Sequence, residues 1–204
     1  QVVSLLVEKP WDWFAKLSVG ELPRLRGAGT LVLPAWTNHS PDWLGEVRPT
    51  LQLAGEAALT NVAFQGIAAN WVHSHIICTN RFWQLPDLSV GRPEGLLRLS
   101  PELNELTGNF YSKIYSTIDV TAPRALLDAE TQEGLNLCQF TVPPVIEGEL
   151  WGHGNDLDRI GFRGRVALTN FTFRELNTDA IVINLSYTNR VLECVEPRLW
   201  RGTQ

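Results

Sequence analysis

Glycine and proline break this chain into short segments, and the segments between them are rich in Val, Ile, Leu, Thr, Phe and Tyr. No uninterrupted stretch shows the three-to-four spacing of a long amphipathic helix, so the chain reads as many short strands separated by turns. The clearest strand is Ala180 to Thr188. Ile181, Ile183, Leu185 and Tyr187 fall on one side, and Val182, Asn184, Ser186 and Thr188 on the other. Alternation with period two marks a strand with one dry and one wet face.

Further strands are expected at Thr30 to Leu33, Thr50 to Leu53, Asn61 to Ala68, Trp71 to Cys78, Leu96 to Leu99, Phe110 to Val120, Leu135 to Val142 and Gly161 to Phe173. Helical signals are few. Ser40 is positioned to cap a turn at Pro41-Asp42-Trp43-Leu44, Ser100 to cap one at Pro101-Glu102-Leu103, and Ala122 to Gly134 has room for a third. None is long enough to cross over between parallel strands, so the pairing is expected to be antiparallel. The expected fold is all-β: an antiparallel eight-stranded jelly-roll β-sandwich with a few short helices in its connections. Residues 1–204 are read as a single domain, since sandwiches of this length form one core.

The acidic balance, net charge −5 and pI about 5.4, comes with arginines dispersed in pairs such as Arg24/Arg26, Arg163/Arg165 and Arg198/Arg201. A protein gripping nucleic acid through phosphates needs a basic patch or arm, and none is visible. The three cysteines, Cys78, Cys138 and Cys194, lie far apart and cannot all pair, which suits buried thiols in a reducing compartment. No apolar run is long enough to cross a bilayer as a helix, so no membrane partner is expected. Methionine is absent even at position 1, as expected for a piece cut from a larger precursor.

His73-Ser74-His75 is the sharpest local pattern. Two residues apart on a strand, both imidazoles face one side, the arrangement a metal site requires. Cupin enzymes build on such a pair with a carboxylate a few residues later, but Ile76 to Arg81 contains no acid. His153 could in principle be the distant third ligand, and it stands in a glycine-rich stretch read as a loop. The bland reading, an interface or core-edge histidine pair, is preferred to the metal set His73, His75 and His153, and no cofactor or catalytic residue is assigned. The acid pairs Glu147/Glu149 and Asp156/Asp158 are read as a solvated turn region around Gly148 to Gly154. No nucleophile elbow, phosphate-binding loop or paired Cys-x-x-Cys occurs. Of the eight tryptophans, Trp11, Trp13, Trp36, Trp43, Trp151 and Trp200 fall near expected loops or chain ends and are the interface candidates. A carbohydrate-binding sandwich using Trp36, Trp43 or Trp151 is a second alternative.

Cys138-Gln139-Phe140-Thr141-Val142-Pro143-Pro144-Val145 resembles the segment of picornavirus-like capsid proteins in which an apolar strand runs into Val-Pro and an exposed turn. The alternating stretch Ala180 to Tyr187, followed by Val191 to Arg198, is similar to the last strand and tail of that family, and Phe110 to Tyr115 to its aromatic-rich earlier strand. The likeness covers residues 108 to 200. It implies a structural coat subunit, secovirus-like in size, of a small icosahedral positive-strand RNA virus. Its partners would be other capsid subunits with at most weak contact to genomic RNA, its place the virion and, during assembly, the host cytoplasm. It also implies N-terminal (1–28) and C-terminal (197–204) extensions that contact neighbours, and polyprotein cleavage after Gln204.

Overall fold

Four tight turns lay out the sheet. Gln65-Gly66, Asn80-Arg81, Arg174-Glu175 and Asn189-Arg190 have positive φ at both positions, the backbone of two-residue type I′ turns, whose twist matches that of the strands they join. Gly66 takes this conformation freely. Arg174 and Glu175 take it against their steric preference, held by the pairing of Phe173 with Leu176 across the turn. In this computed structural model, residues 16–35, 37, 39–122, 124, 129–154 and 156–202 are described.

The hairpins build one antiparallel sheet. On one side, β1 (Leu17–Val19) and β2 (Arg24–Thr30) lie end to end along β3 (Gln52–Phe64), which pairs with β4 (Ile67–Thr79). The next column is split into β5 (Phe82–Gln84) and β6 (Leu88–Arg92), and the one after it into β7 (Gly95–Leu99) and β8 (Glu102–Asn104). Then come β9 (Asn109–Ser116), the pair β10 (Cys138–Phe140) and β11 (Val145–His153), β12 (Asp156–Phe173), β13 (Leu176–Thr188) and β14 (Val191–Trp200). One short helix, α1 (Ala129–Asn136), precedes β10. Counting each split column once gives ten columns, β1/β2, β3, β4, β5/β6, β7/β8, β9, β10/β11, β12, β13 and β14, each beside its neighbours in the chain.

The all-β, antiparallel expectation therefore holds, while the arrangement differs from eight strands in two packed sheets. Fourteen strands share one hydrogen-bonded sheet, and their consecutive order lacks the long returning connection of a Greek key among the described residues. Several local expectations also change. The segments from Thr50 and Asn61 belong to one long β3 whose hairpin turn falls inside Asn61 to Ala68. Leu135 to Val142 is shared between α1 and β10. The expected helix at Pro101 is strand β8, because Glu102 and Leu103 pair with β9 on one side and β5 on the other. The turn at Trp43–Val47 does form, but Asp42 is its cap, its side chain accepting from the Gly45 N–H at 2.8 Å. Residues 17–19, 24–28 and 197–200, expected in extensions, belong to β1, β2 and β14. Residues 1–15 and Gln204 lie outside the described residues.

Register across the sheet separates two faces. Leu59, Val72, Val90, Leu97, Ser116, Ile146, Val166 and Ile183 are successive cross-strand partners from β3 to β13. This row is aliphatic except for one serine, yet every member but Ser116 is only half-buried. A sandwich would bury such a row under a second sheet, and no second layer covers it among the described residues. Full burial is confined to scattered points, among them Val62, Cys78 and Phe171 in the sheet and Val47 in the turn before β3.

Aromatic rings lie flat on cross-strand glycines instead. Trp71 is opposite Gly91, Trp151 opposite Gly161 and Phe110 opposite Gly152, and in each pair a methyl on the glycine would collide with the ring. Gly91 and Gly161 are buried as a result. The ring of Phe162 covers the Gly148–Gly164 pair in the same way. This arrangement removes aromatic surface from water within the plane of a single sheet, an effect known to stabilise strands at glycine.

A polar clamp fixes the segment before β3. The Glu105 side chain, 11% exposed, accepts from Arg48 Nη2 at 2.7 Å, from Arg81 Nε at 3.3 Å and from the Trp83 indole. Burial pushes its carboxyl up, but the bonds from Arg48, Trp83 and Arg81, with the charge of Arg48, hold it below the usual carboxylate range. Beneath the clamp, burial pushes the Cys78 thiol up.

Three substitutions test these devices by denaturant unfolding. Gly161→Val is expected to cost about 2 kcal/mol by displacing the Trp151 ring, and combining it with Trp151→Ala should add much less than the sum. Glu105→Gln is expected to cost about 2 kcal/mol near neutral pH by leaving two guanidinium groups short of charge. Because the folded Glu105 carboxyl is depressed, its contribution is full above the ordinary glutamate range and is lost as pH falls through the depressed value. The gap between wild type and Glu105→Gln should therefore close in acid.

Candidate functional site

The face opposite the aliphatic row is polar, and its charges alternate. One line of cross-strand neighbours starts at Arg26 on β2, continues through Glu56 and His75, and passes Asp87 and Ser100 in the split columns. It then runs through Lys113, Glu149, Arg163 and Ser186 to Glu193 on β14. Opposite charges directly across strands each contribute about 0.2–1 kcal/mol. Arg163 Nη2 lies 3.1 Å from Glu149 Oε2, and Tyr111 donates to the same carboxylate. The next line, one pleat over, contains Arg24, His73, Arg98, Tyr115, Glu147, Arg165 and Val195. Between the two lines lies a shallow open depression of about 980 Å³.

This geometry answers the acid-pair question. Glu147 and Glu149 lie on strand β11, not in a turn, and each stands opposite an arginine, Arg165 or Arg163. Two carboxylates side by side on one strand, each with an arginine opposite it on β12, do not make the facing acid pair that glycoside hydrolysis requires. Asp156 is on β12 and pairs with Arg159 at 3.3 Å.

His73 and His75 do share a face of β4, with ring centroids 5.5 Å apart and planes nearly perpendicular. Each is committed to its own carboxylate. His73 Nε2 is 3.1 Å from Glu56 Oε1, and His75 Nδ1 is 2.7 Å from Asp87 Oδ2, while Asp87 Oδ1 also accepts the His75 backbone N–H. His153 stands at the far end of β11, four columns away or about 19 Å at ordinary strand spacing, with Nδ1 3.0 Å from Asn109 Oδ1. The three histidines do not converge, and among the described residues no group of three or more His, Cys, Asp or Glu is placed to hold a metal. The carboxylate partners escaped sequence reading because Glu56 is cross-strand and Asp87 sits in the break between β5 and β6.

The tryptophan candidates divide. Trp151 is within β11, flat on Gly161, and not at a loop. Trp43 is half-buried in the turn beside the Glu105 clamp. Trp200 is exposed at the end of β14. Trp11, Trp13 and Trp36 lie outside the described residues.

The edges are the least satisfied part of the molecule. Every residue of β2 and of β14 is exposed, including Leu25 at 70%, Leu192 at 60% and Leu199 at 60%. Long apolar edge strands present unpaired backbone groups to any strand that can reach them. Among the described residues no helix is long and apolar enough to cross a membrane.

The His75–Asp87 pair titrates in a definite direction. The hydrogen bond that the His75 ring donates to Asp87, and then the charge of Asp87, raise the His75 value. The bond from the His75 backbone N–H lowers Asp87. The stabilisation on the imidazole side is complete below its ordinary value and lost as pH rises through the raised one. On the carboxyl side it is complete above the ordinary value and lost as pH falls through the lowered one. His75 ring resonances in NMR are therefore expected to titrate above the usual imidazole midpoint, and Asp87→Asn to bring that midpoint down. No family model, curated protein or solved structure matches this chain.

Proposed function

We propose that this chain is a structural β-assembly subunit, not a catalyst, which works by joining its sheet to copies or relatives of itself. The observation that carries this reading is the aliphatic row from Leu59 to Ile183, crossing eight strands without a covering layer among the described residues. Seven strand spacings make it about 34 Å long. An apolar band of that reach marks a surface that meets something else. The polar face supports a non-catalytic role, since Glu56, Asp87 and Glu149 are paired with His73, His75 and Arg163. Trp43, half-buried, and Trp151, stacked on glycine, are poorly placed for binding sugar rings.

The coat-subunit form of this reading, a jelly roll in an icosahedral shell, rests on the sequence likeness of residues 108 to 200. The consecutive strand order favours the broader form, an open sheet completed by neighbours. The row's composition favours a second reading: Leu, Val and Ile with one buried serine also suit the flank of an aliphatic chain, which needs area and no hydrogen bonds.

Sedimentation velocity over a range of protein concentrations, run with and without a fluorescent fatty acid, tests both. Concentration-dependent association is expected, with the fatty acid bound weakly or not at all. A monomer that binds the fatty acid with Ile146→Asp-sensitive affinity would transfer the assignment to the second reading. A monomer that binds none would overturn both.

A further inference from the structure

The charge line on the polar face begins with a cation and ends with an anion. Arg26 on β2 and Glu193 on β14 are its termini, both exposed, and neither has an ion-pair partner among the described residues. Within the line, Glu56 follows Arg26 and Arg163 lies two steps before Glu193, so each end presents the charge that the other end's sequence would continue.

The column count makes such a continuation geometrically natural. With ten antiparallel columns, β2 and β14 run in opposite directions. A second molecule translated along the sheet therefore sets its β2 antiparallel to β14 of the first, with polar and aliphatic faces still aligned. Pairing Glu193 with Arg26 fixes the rest of the register. Val195 falls opposite Arg24, whose aliphatic stem can lie along it. Cys194 falls opposite Leu25, and Leu192 opposite Gly27, so the exposed apolar side chains of the two edges meet on one face.

We propose that the occupant of the β14 edge is the β2 edge of a second copy of this chain, added antiparallel with Glu193 opposite Arg26 and Cys194 opposite Leu25. This rests on the assembly reading and specifies its geometry. The contact is head to tail, so it leaves a free β2 at one end and a free β14 at the other, and growth continues beyond the dimer. A symmetric pairing of two β14 edges would stop at two, and in-register contact there would involve no residue of β2.

Charge exchange separates these geometries in the full chain. Arg26→Glu and Glu193→Arg, each checked for native circular dichroism, are expected to weaken association measured by sedimentation about tenfold. The double variant Arg26→Glu/Glu193→Arg should restore it. Independently, Leu25→Cys under mild oxidation should give a ladder of disulfide-linked species beyond the dimer through Cys194, abolished by Cys194→Ser. If wild type associates but Arg26→Glu has no effect, or if Leu25→Cys stops at dimers, the head-to-tail geometry is wrong and the assembly reading stands. If wild type stays monomeric at every concentration, the assembly reading itself falls.

Discussion

A strand in a single sheet can be packed on one face only by its own neighbours. Without a second layer, an aliphatic side chain stays half in water, and its burial cannot contribute the full 1.5–3 kcal/mol or so that a core position gives. This limit shapes the rest of the structure. It explains why the largest rings lie down on glycines. Trp71, Phe110, Trp151 and Phe162 each cover a position where a Cβ would obstruct them, and so gain contact area in the only direction available. It also explains why Glu105 gathers two arginines and an indole in one place, since a charged clamp substitutes for apolar packing where the segment before β3 meets the sheet.

The two faces solve different problems. On the polar face the charges alternate across strands, and His73 and His75 each have a carboxylate of their own. The aliphatic face and the edges remain open among the described residues, and they give the molecule its inferred role. A chain of this composition is less charged than most soluble domains, and the shortfall is spread over a face that other atoms are expected to cover.

Much of the local structure was legible in the sequence. The alternation of Ala180 to Thr188 is strand β13, with Ile181, Ile183 and Leu185 on the aliphatic face as expected, and His73 and His75 do share a side of β4. The strand assigned from Phe110 is β9. Period two, however, reports only that one face is dry, not whether a second sheet or a neighbour keeps it so. That is why a sandwich was expected and one sheet is found. Glycines signalled turns at Gly148 and Gly152, but there they accept aromatic rings inside β11, a role visible only once cross-strand partners are known. Glu105 had no signal at all, because Arg48, Arg81 and Trp83 converge on it from three separate elements.

The consecutive strand order bears on how the chain comes apart as well as how it is held. Each hairpin touches mainly the hairpin before and after it, so sequence-local closure can zip the sheet from several starting points. The same locality means that tension on the C-terminus, pulling β14 away from β13, opens bonds a few at a time instead of shearing the whole sheet at once. Such a molecule would peel in steps, one hairpin per step, and the long pair β12 and β13 would be the second of them, with the β11 pairings still to open before the Glu105 clamp.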